Sequence, residues 1–261
     1  MITVSIDPIL FSIGHFHLRW YSLIVMLAIG VAFWLVTKEA TRKGFAKESI
    51  YDLAIWVVVG GMIGARLFHV IDHWPDVFSK DLGRIFAIWE GGLAIWGGIV
   101  GGLITLAFIA WRKRWNLARL LDSFAPGVVL GQAIGRFACI ITGDSVGKPT
   151  DGPFGLAYTN PEAMVPQTGV YYTPTPIYEI ILNGAIFAIL WRLRKLKMPD
   201  GALFLIYLSL YSVGRFFITF MSSYREFAFG LNQAQVMSLV SLVVAVPLLF
   251  RVFRGRKSEL G

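Results

Sequence analysis

Cysteine is almost absent: Cys139 is the single one among 261 residues. That excludes an internal disulfide and any cysteine-based metal cluster. Charge is scarce too. Asp, Glu, Lys and Arg make up 15% of the chain, against about 25% in a soluble domain. No low-complexity tract or linker divides the sequence, so one integral membrane domain over residues 1–261 is expected. The N-terminus lacks the basic region of a cleavable signal peptide, since its first basic residue, Arg19, comes just before the first long apolar run. No zinc-protease pattern occurs either. His69 and His73 have the i, i+4 spacing, but Val70, Ile71 and Asp72 lie between them. Together with His15 and His17 they read as polar residues at a membrane interface.

Apolar residues fill the space that charge leaves. The chain is 56% hydrophobic and contains 9 Trp and 20 Phe. A membrane-crossing helix needs roughly 20 mostly apolar residues. Trp20 to Thr37, Gly91 to Trp111 and Phe227 to Phe250 carry no charge at all. Tyr51 to Ile71, Leu121 to Ile141, Thr175 to Trp191 and Gly201 to Met221 qualify with one or two Asp, Glu, Lys or Arg residues each. The expected architecture is therefore all-α, with about seven transmembrane helices.

The net charge of +8 belongs to topology rather than to nucleic acid. Lys38, Arg42, Lys43 and Lys47 follow the first run, Arg112, Lys113, Arg114 and Arg119 the third, Arg192, Arg194, Lys195 and Lys197 the fifth, and Arg251, Arg254, Arg256 and Lys257 the seventh. The alternate connections hold only Arg19, Lys80, Arg84, Lys148 and Arg225. The positive-inside rule then predicts an outer N-terminus and a cytoplasmic C-terminus. An even number of helices would break this alternation. The longest connection, about 142–173, falls outside and is rich in Gly, Pro and Asp, which points to polar chemistry on the outer face.

Three arginines lie within runs: Arg66, Arg136 and Arg215. A charge at mid-bilayer costs ~2.5–3.5 kcal/mol on insertion scales, so it is rarely retained without a use. The predicted topology puts all three toward the outer ends of their helices, which suits one shared cationic pocket. Guanidinium pairs bidentately with phosphate, so such a pocket would take an anionic lipid headgroup. Snorkelling, or ion pairs with Glu90, Asp144 or Glu179, is the structural alternative. Glycines at four-residue spacing (Gly60 and Gly64, Gly97 and Gly101, Gly98 and Gly102, and Gly127, Gly131 and Gly135) predict close helix contacts. The stretch from Trp89 to Gly98 has the composition of a re-entrant or half-helix start to the third span.

Five segments carry a family resemblance. Ile13 to Ser22 includes Arg19-Trp20-Tyr21. Glu90-Gly91-Gly92-Leu93 leads to Gly97-Gly98. Gly135-Arg136-Phe137 leads to Thr142-Gly143-Asp144-Ser145-Val146-Gly147. Thr173-Pro174-Thr175-Pro176-Ile177-Tyr178-Glu179 follows, and Tyr211 to Phe217 contains Arg215. In this order the segments resemble the motifs of bacterial prolipoprotein diacylglyceryl transferases, from residue 13 to residue 217.

The resemblance implies a multi-pass protein of the bacterial inner membrane. It implies transfer of the diacylglyceryl group of phosphatidylglycerol to the lipobox cysteine of a prolipoprotein signal peptide, forming a thioether, with neither metal nor cofactor. Carried over by position, Arg136 would bind the lipid phosphate, Arg215 would be a second cationic and catalytic contact, Tyr21 and Asp144 would be catalytic, and Gly147 would shape the substrate site. The chain departs from the family pattern at five positions. Trp96 replaces a His, Cys139 and Thr142 replace Asn, and Asp144 and Thr219 replace Glu. A relative that binds an anionic lipid without catalysis, or acts on another substrate, is the alternative. A transporter fits less well, because no internal repeat is found. A retinal protein fits less well, because the seventh run has no Lys.

Overall fold

A computed structural model of the chain describes residues 1–14, 16–87 and 91–259. Among these residues seven helices are long and apolar enough to cross a membrane. They are α1 (Trp20–Arg42), α2 (Lys47–Asp72), α3 (Ile95–Arg112), α4 (Leu117–Thr142), α5 (Thr175–Leu193), α6 (Ala202–Ile218) and α7 (Gln233–Glu259). Large apolar side chains stay exposed on them, including Ile55, Trp56, Val243 and Phe250. Lipid, not protein, is the natural cover for such faces.

Among the described residues, three two-stranded sheets of short strands add to the helices. β1 (Ile2–Val4) pairs in parallel with β4 (Leu156–Tyr158), and β2 (Ile9–Ile13) pairs with β3 (Phe16–Arg19) as a hairpin. A second hairpin, β5 (Glu226–Ala228) and β6 (Leu231–Asn232), precedes α7. It corrects the expected start of the seventh span. Phe227 is strand and Phe229 is loop, both exposed, and the helix begins at Gln233. The third span also starts later than its apolar run, at Ile95. Trp89 and Glu90, which the re-entrant reading included, lie outside the described residues, as does His15.

The chain divides into two compact units, Thr37–Leu120 and the remainder. In the first, α2 and α3 form a close pair through glycine. A Cβ on Gly64 would lie 2.4 Å from the Gly97 carbonyl oxygen and 2.8 Å from the Gly101 Cα. Arg66, two residues on, is buried. Its Nε donates to the Ile85 carbonyl (2.9 Å), Nη1 to those of Gly91 (2.7 Å) and Gly92 (3.0 Å), and Nη2 to those of Arg84 (2.5 Å) and Ala87 (3.2 Å). Gly91 and Gly92 both have left-handed φ, +86° and +75°, which turns their carbonyls to this guanidinium at no Cβ penalty. Arg66 therefore organises backbone within its own unit.

In the second unit α4, α5 and α6 enclose a core of Ala125, Val129, Ile186, Leu190, Leu203 and Tyr207. At one end of it the buried Asp122 carboxylate accepts from the backbone N–H groups of Gly201 (3.0 Å) and Phe204 (2.9 Å). An anion at a helix N-terminus satisfies donors that the helix itself cannot. Gly127 and Gly131 of α4 lie against Ala32, Val36 and Ala28 of α1. The connection 143–174 is ordered by β4, by the Tyr158 hydroxyl donating to the Ile140 carbonyl (2.8 Å), and by backbone pairing of Gly147. Burial, reinforced by the Asp144 carboxylate, pushes the Tyr158 phenol well above its ordinary pKa, so it remains a donor.

Gly64→Leu should lower the thermal midpoint in detergent, corresponding to a loss of about 1–3 kcal/mol from overpacking. Gly184→Leu, where a Cβ meets nothing within 4 Å, should leave it unchanged.

Candidate active site

Three helices each contribute one charged side chain to a common point. Glu179, in the second turn of α5, is buried. Arg136 of α4 places Nε 2.7 Å from its Oε2, and Arg215 of α6 donates from Nη1 to its Oε1. The side chains are 22%, 4% and 13% exposed for Arg136, Glu179 and Arg215. Two guanidiniums and one carboxylate leave a net charge of about +1 in a low-dielectric setting, where an anion is strongly attracted.

Neighbouring groups fix the two arginines. Arg136 Nη1 donates to Ser145 Oγ (3.2 Å) and touches Cys139 Sγ (3.6 Å). Arg215 Nη2 donates to the Tyr224 hydroxyl (3.3 Å), and its guanidinium lies 5.8 Å from that ring's centroid. Tyr211, one turn before Arg215, is within electrostatic reach of Arg215, Glu179 and Arg136. Gly214 makes room beside Arg215, since a Cβ there would meet the Leu182 methyls at 2.4 Å.

The other expected residues belong to the same unit. Tyr21, in the first turn of α1, is 41% exposed and lies within electrostatic reach of Asp144, Cys139 and Arg136. Asp144 follows the end of α4, and its Oδ1 accepts from Thr142 Oγ1 (3.1 Å). Gly147 donates its N–H to the Thr173 carbonyl (2.9 Å) and accepts from Ser223 Oγ (3.0 Å). A Cβ on it would sit 2.4 Å from the Met221 carbonyl oxygen. Gly147 thus ties together the segments that lead into α5 and out of α6, and any side chain would push them apart.

Sequence reasoning put Glu179 among ion-pair partners and within a motif, but not among site residues. Ser145 and Tyr211 likewise stood within motifs without being assigned to the site, and Tyr224 was missed. Glu179 had a signal of its own, as the sole charged residue of its apolar run. Tyr224 had none, because it lies in a polar segment after α6. Trp96 is half-buried on α3 in the other unit.

The fold and the cluster define a polytopic membrane protein with a buried, arginine-rich charge cluster between helices. Comparison narrows this further. The profile of the prolipoprotein diacylglyceryl transferase family matches residues 8–251, and the chain belongs to that family. A phosphatidylglycerol–prolipoprotein diacylglyceryl transferase of Dehalococcoides mccartyi is 37% identical over 99% of this chain and 98% of its own length. Enzymes of the same name from Listeria innocua and Lactobacillus acidophilus are each 34% identical, covering 94% and 95% of this chain and 89% and 90% of their own.

Removing the carboxylate should expose the dependence of the cluster on it. Glu179→Gln leaves two buried guanidiniums facing each other, a change that costs about 3–5 kcal/mol when a buried pair is broken. Its thermal midpoint should fall. The double variant Glu179→Gln with Arg215→Gln should recover part of that loss, because the unpaired charge is gone.

Proposed function

We propose that the protein transfers the diacylglyceryl group of phosphatidylglycerol to a prolipoprotein, with the lipobox cysteine of its signal peptide as acceptor. Membership of the transferase family supports the reaction class. The observation that carries the assignment to residues is the convergence of Arg136 and Arg215 on Glu179. Phosphatidylglycerol bears one negative charge on its phosphodiester, which complements the residual positive charge of the cluster.

The acceptor sulfur attacks the terminal glyceryl carbon, a C–S bond forms, and the bond from that carbon to the phosphate oxygen breaks. Glycerol phosphate departs with the electron pair, and the thiol proton goes to a base. The leaving group gains negative charge as the bond breaks. Arg136 and Arg215 therefore stabilise the transition state more than the bound lipid, which is the condition for acceleration. Their field also favours thiolate over thiol. Asp144 is the carboxylate assigned to accept the proton, and Tyr21 is the hydroxyl assigned to position the reacting groups beside Arg136. Gly147 keeps the outer segment close to the ends of α5 and α6.

The protein is assigned to the bacterial inner membrane, N-terminus out, with the chemistry on the outer side where prolipoproteins emerge. Reporter fusions after Lys197 and Lys257 should be active on the cytoplasmic side, and a fusion at Lys148 on the outer side.

The central test is complementation of a strain depleted of its own diacylglyceryl transferase, read as the gel shift of a reporter prolipoprotein. The wild-type chain should restore the shift. Arg136→Gln and Arg215→Gln should each reduce transfer by about 10²–10³-fold while still accumulating in membranes. Near-normal transfer by both variants would refute the assignment of the arginines. Failure of the wild type with matched lipid and prolipoprotein would favour a lipid-binding relative without activity.

A further inference from the structure

The outer connection finishes the end of α4. The last carbonyls of a helix have no donor within the helix. Here the Gly143 N–H donates to the Cys139 carbonyl (2.9 Å), the Met164 N–H to that of Thr142 (2.7 Å) and the Tyr158 hydroxyl to that of Ile140 (2.8 Å). Two of these donors are backbone groups, which almost any sequence supplies. The third depends on one side chain, that of Tyr158.

Tyr158 lies outside every segment that carries the family resemblance, yet it is only 1% exposed. Its backbone is held from two directions. β4 pairs with β1, which sets Tyr158 opposite Val4, and the Tyr158 carbonyl accepts from the Gly169 N–H (2.9 Å). The ring packs on Gly143, where a Cβ would lie 3.3 Å from Tyr158 Cε1 and 2.7 Å from Val165 Cγ1. Gly143 has a left-handed φ of +76°, which glycine adopts without strain and which commonly ends a helix. The chain thus leaves α4 at a residue that Tyr158 grips by ring and neighbouring hydroxyl bond.

The next two residues belong to the candidate site. Asp144 lies within electrostatic reach of Tyr158, and its Oδ1 accepts from Thr142 Oγ1. Ser145 Oγ accepts from Arg136 Nη1 (3.2 Å). Arg136 and Arg215 themselves meet at Glu179, so the lipid phosphate would find them in place whether or not Tyr158 keeps its hydroxyl.

We propose that Tyr158 is a positioning residue for the transfer reaction: by holding Ile140 and Gly143 it aims the Asp144 carboxylate, the group assigned to accept the thiol proton. The proposal rests on the transferase reading above. Misplacing a reacting group by roughly 1 Å can cost about 10²-fold in rate, so the loss of one hydroxyl outside the membrane span is felt in the chemical step.

A second buried tyrosine supplies the control. Tyr172, 2% exposed, belongs to the same connection, but its hydroxyl bonds back to the N–H (3.0 Å) and carbonyl (3.2 Å) of Gln167. In the full-length protein, transfer from dipalmitoyl-phosphatidylglycerol to a lipobox peptide is measured for Tyr158→Phe and Tyr172→Phe, together with thermal midpoints in detergent. Each variant loses one buried hydroxyl and keeps its ring, so the two midpoints should fall by similar amounts. Tyr158→Phe should lower kcat by about tenfold or more, with KM for the lipid within about twofold of wild type. Tyr172→Phe should keep kcat within about twofold. In an Asp144→Asn background, Tyr158→Phe should cost about a further twofold at most, because both changes act on one group. A normal kcat in Tyr158→Phe, equal losses in the two tyrosine variants, or the full loss persisting in Asp144→Asn would each overturn the proposal. A Tyr158→Phe protein that does not fold would show the hydroxyl to be structural and overturn it too. A wild type inactive with matched lipid and peptide would overturn the transferase reading, and the proposal with it.

Discussion

A carboxylate held between two guanidiniums is the constraint around which the larger unit is arranged. Alone in a low-dielectric interior, each of the three charges would carry a large desolvation cost. Together they are tolerated, but only while α4, α5 and α6 keep their spacing. The apolar core of Ala125, Val129, Ile186, Leu190, Leu203 and Tyr207 maintains that spacing on one side of the cluster. Asp122 locks α4 to the start of α6 at the far end. On the other side, Gly147 joins the segments before α5 and after α6. The cluster thus sits between an apolar clamp and a backbone clamp, and neither contributes charge to it.

This arrangement suits an anionic substrate for a reason beyond net charge. Glu179 occupies two sites on the guanidiniums and so orients them before any lipid arrives. Preorganised donors need no reorganisation when charge develops on a leaving group. Ser145 and Tyr224 restrict the arginines further, one from the turn after α4 and the other from the segment after α6. Under the proposed function, a lipid phosphate would meet two arginines already aimed, rather than two flexible side chains that must be ordered on binding.

Much of this was legible in the sequence. Alternation of basic and non-basic loops predicts seven spans, and the depth of Arg136 and Arg215 within their runs predicts that they lie near one another. Depth alone does not say which way a side chain points. Arg66 has a similar expected depth, yet five backbone carbonyls occupy its guanidinium. Glu179 was visible as an isolated charge, but hydropathy cannot reveal that it faces two arginines at once. The strands escaped notice because runs of two to five residues leave no periodicity to detect, and Phe227 and Phe229 were counted toward α7 only because they are apolar. Their hairpin depends on the turn at Phe229 and Gly230, which have φ of 54° and 72°.

Four of the five departures from the family pattern lie beside the cluster or the turn after α4 and are consistent with this physical scheme. A buried polar group is expensive when left unpaired, so a substitution near the cluster is tolerated when the new side chain satisfies itself. Thr142 donates to the Ala138 carbonyl at 3.0 Å and also contacts Asp144. Thr219 donates to the Arg215 carbonyl at 2.9 Å, and its own carbonyl accepts from Asn232. Cys139 is nearly apolar, and its sulfur sits beside Arg136 without demanding a second partner. Asp144 keeps the carboxylate on a shorter arm. None of these changes removes an arginine, alters the carboxylate between them or enlarges Gly147. Thr142, Thr219 and Cys139 are thus accommodated by their own neighbourhoods, while nothing in the structure explains Trp96.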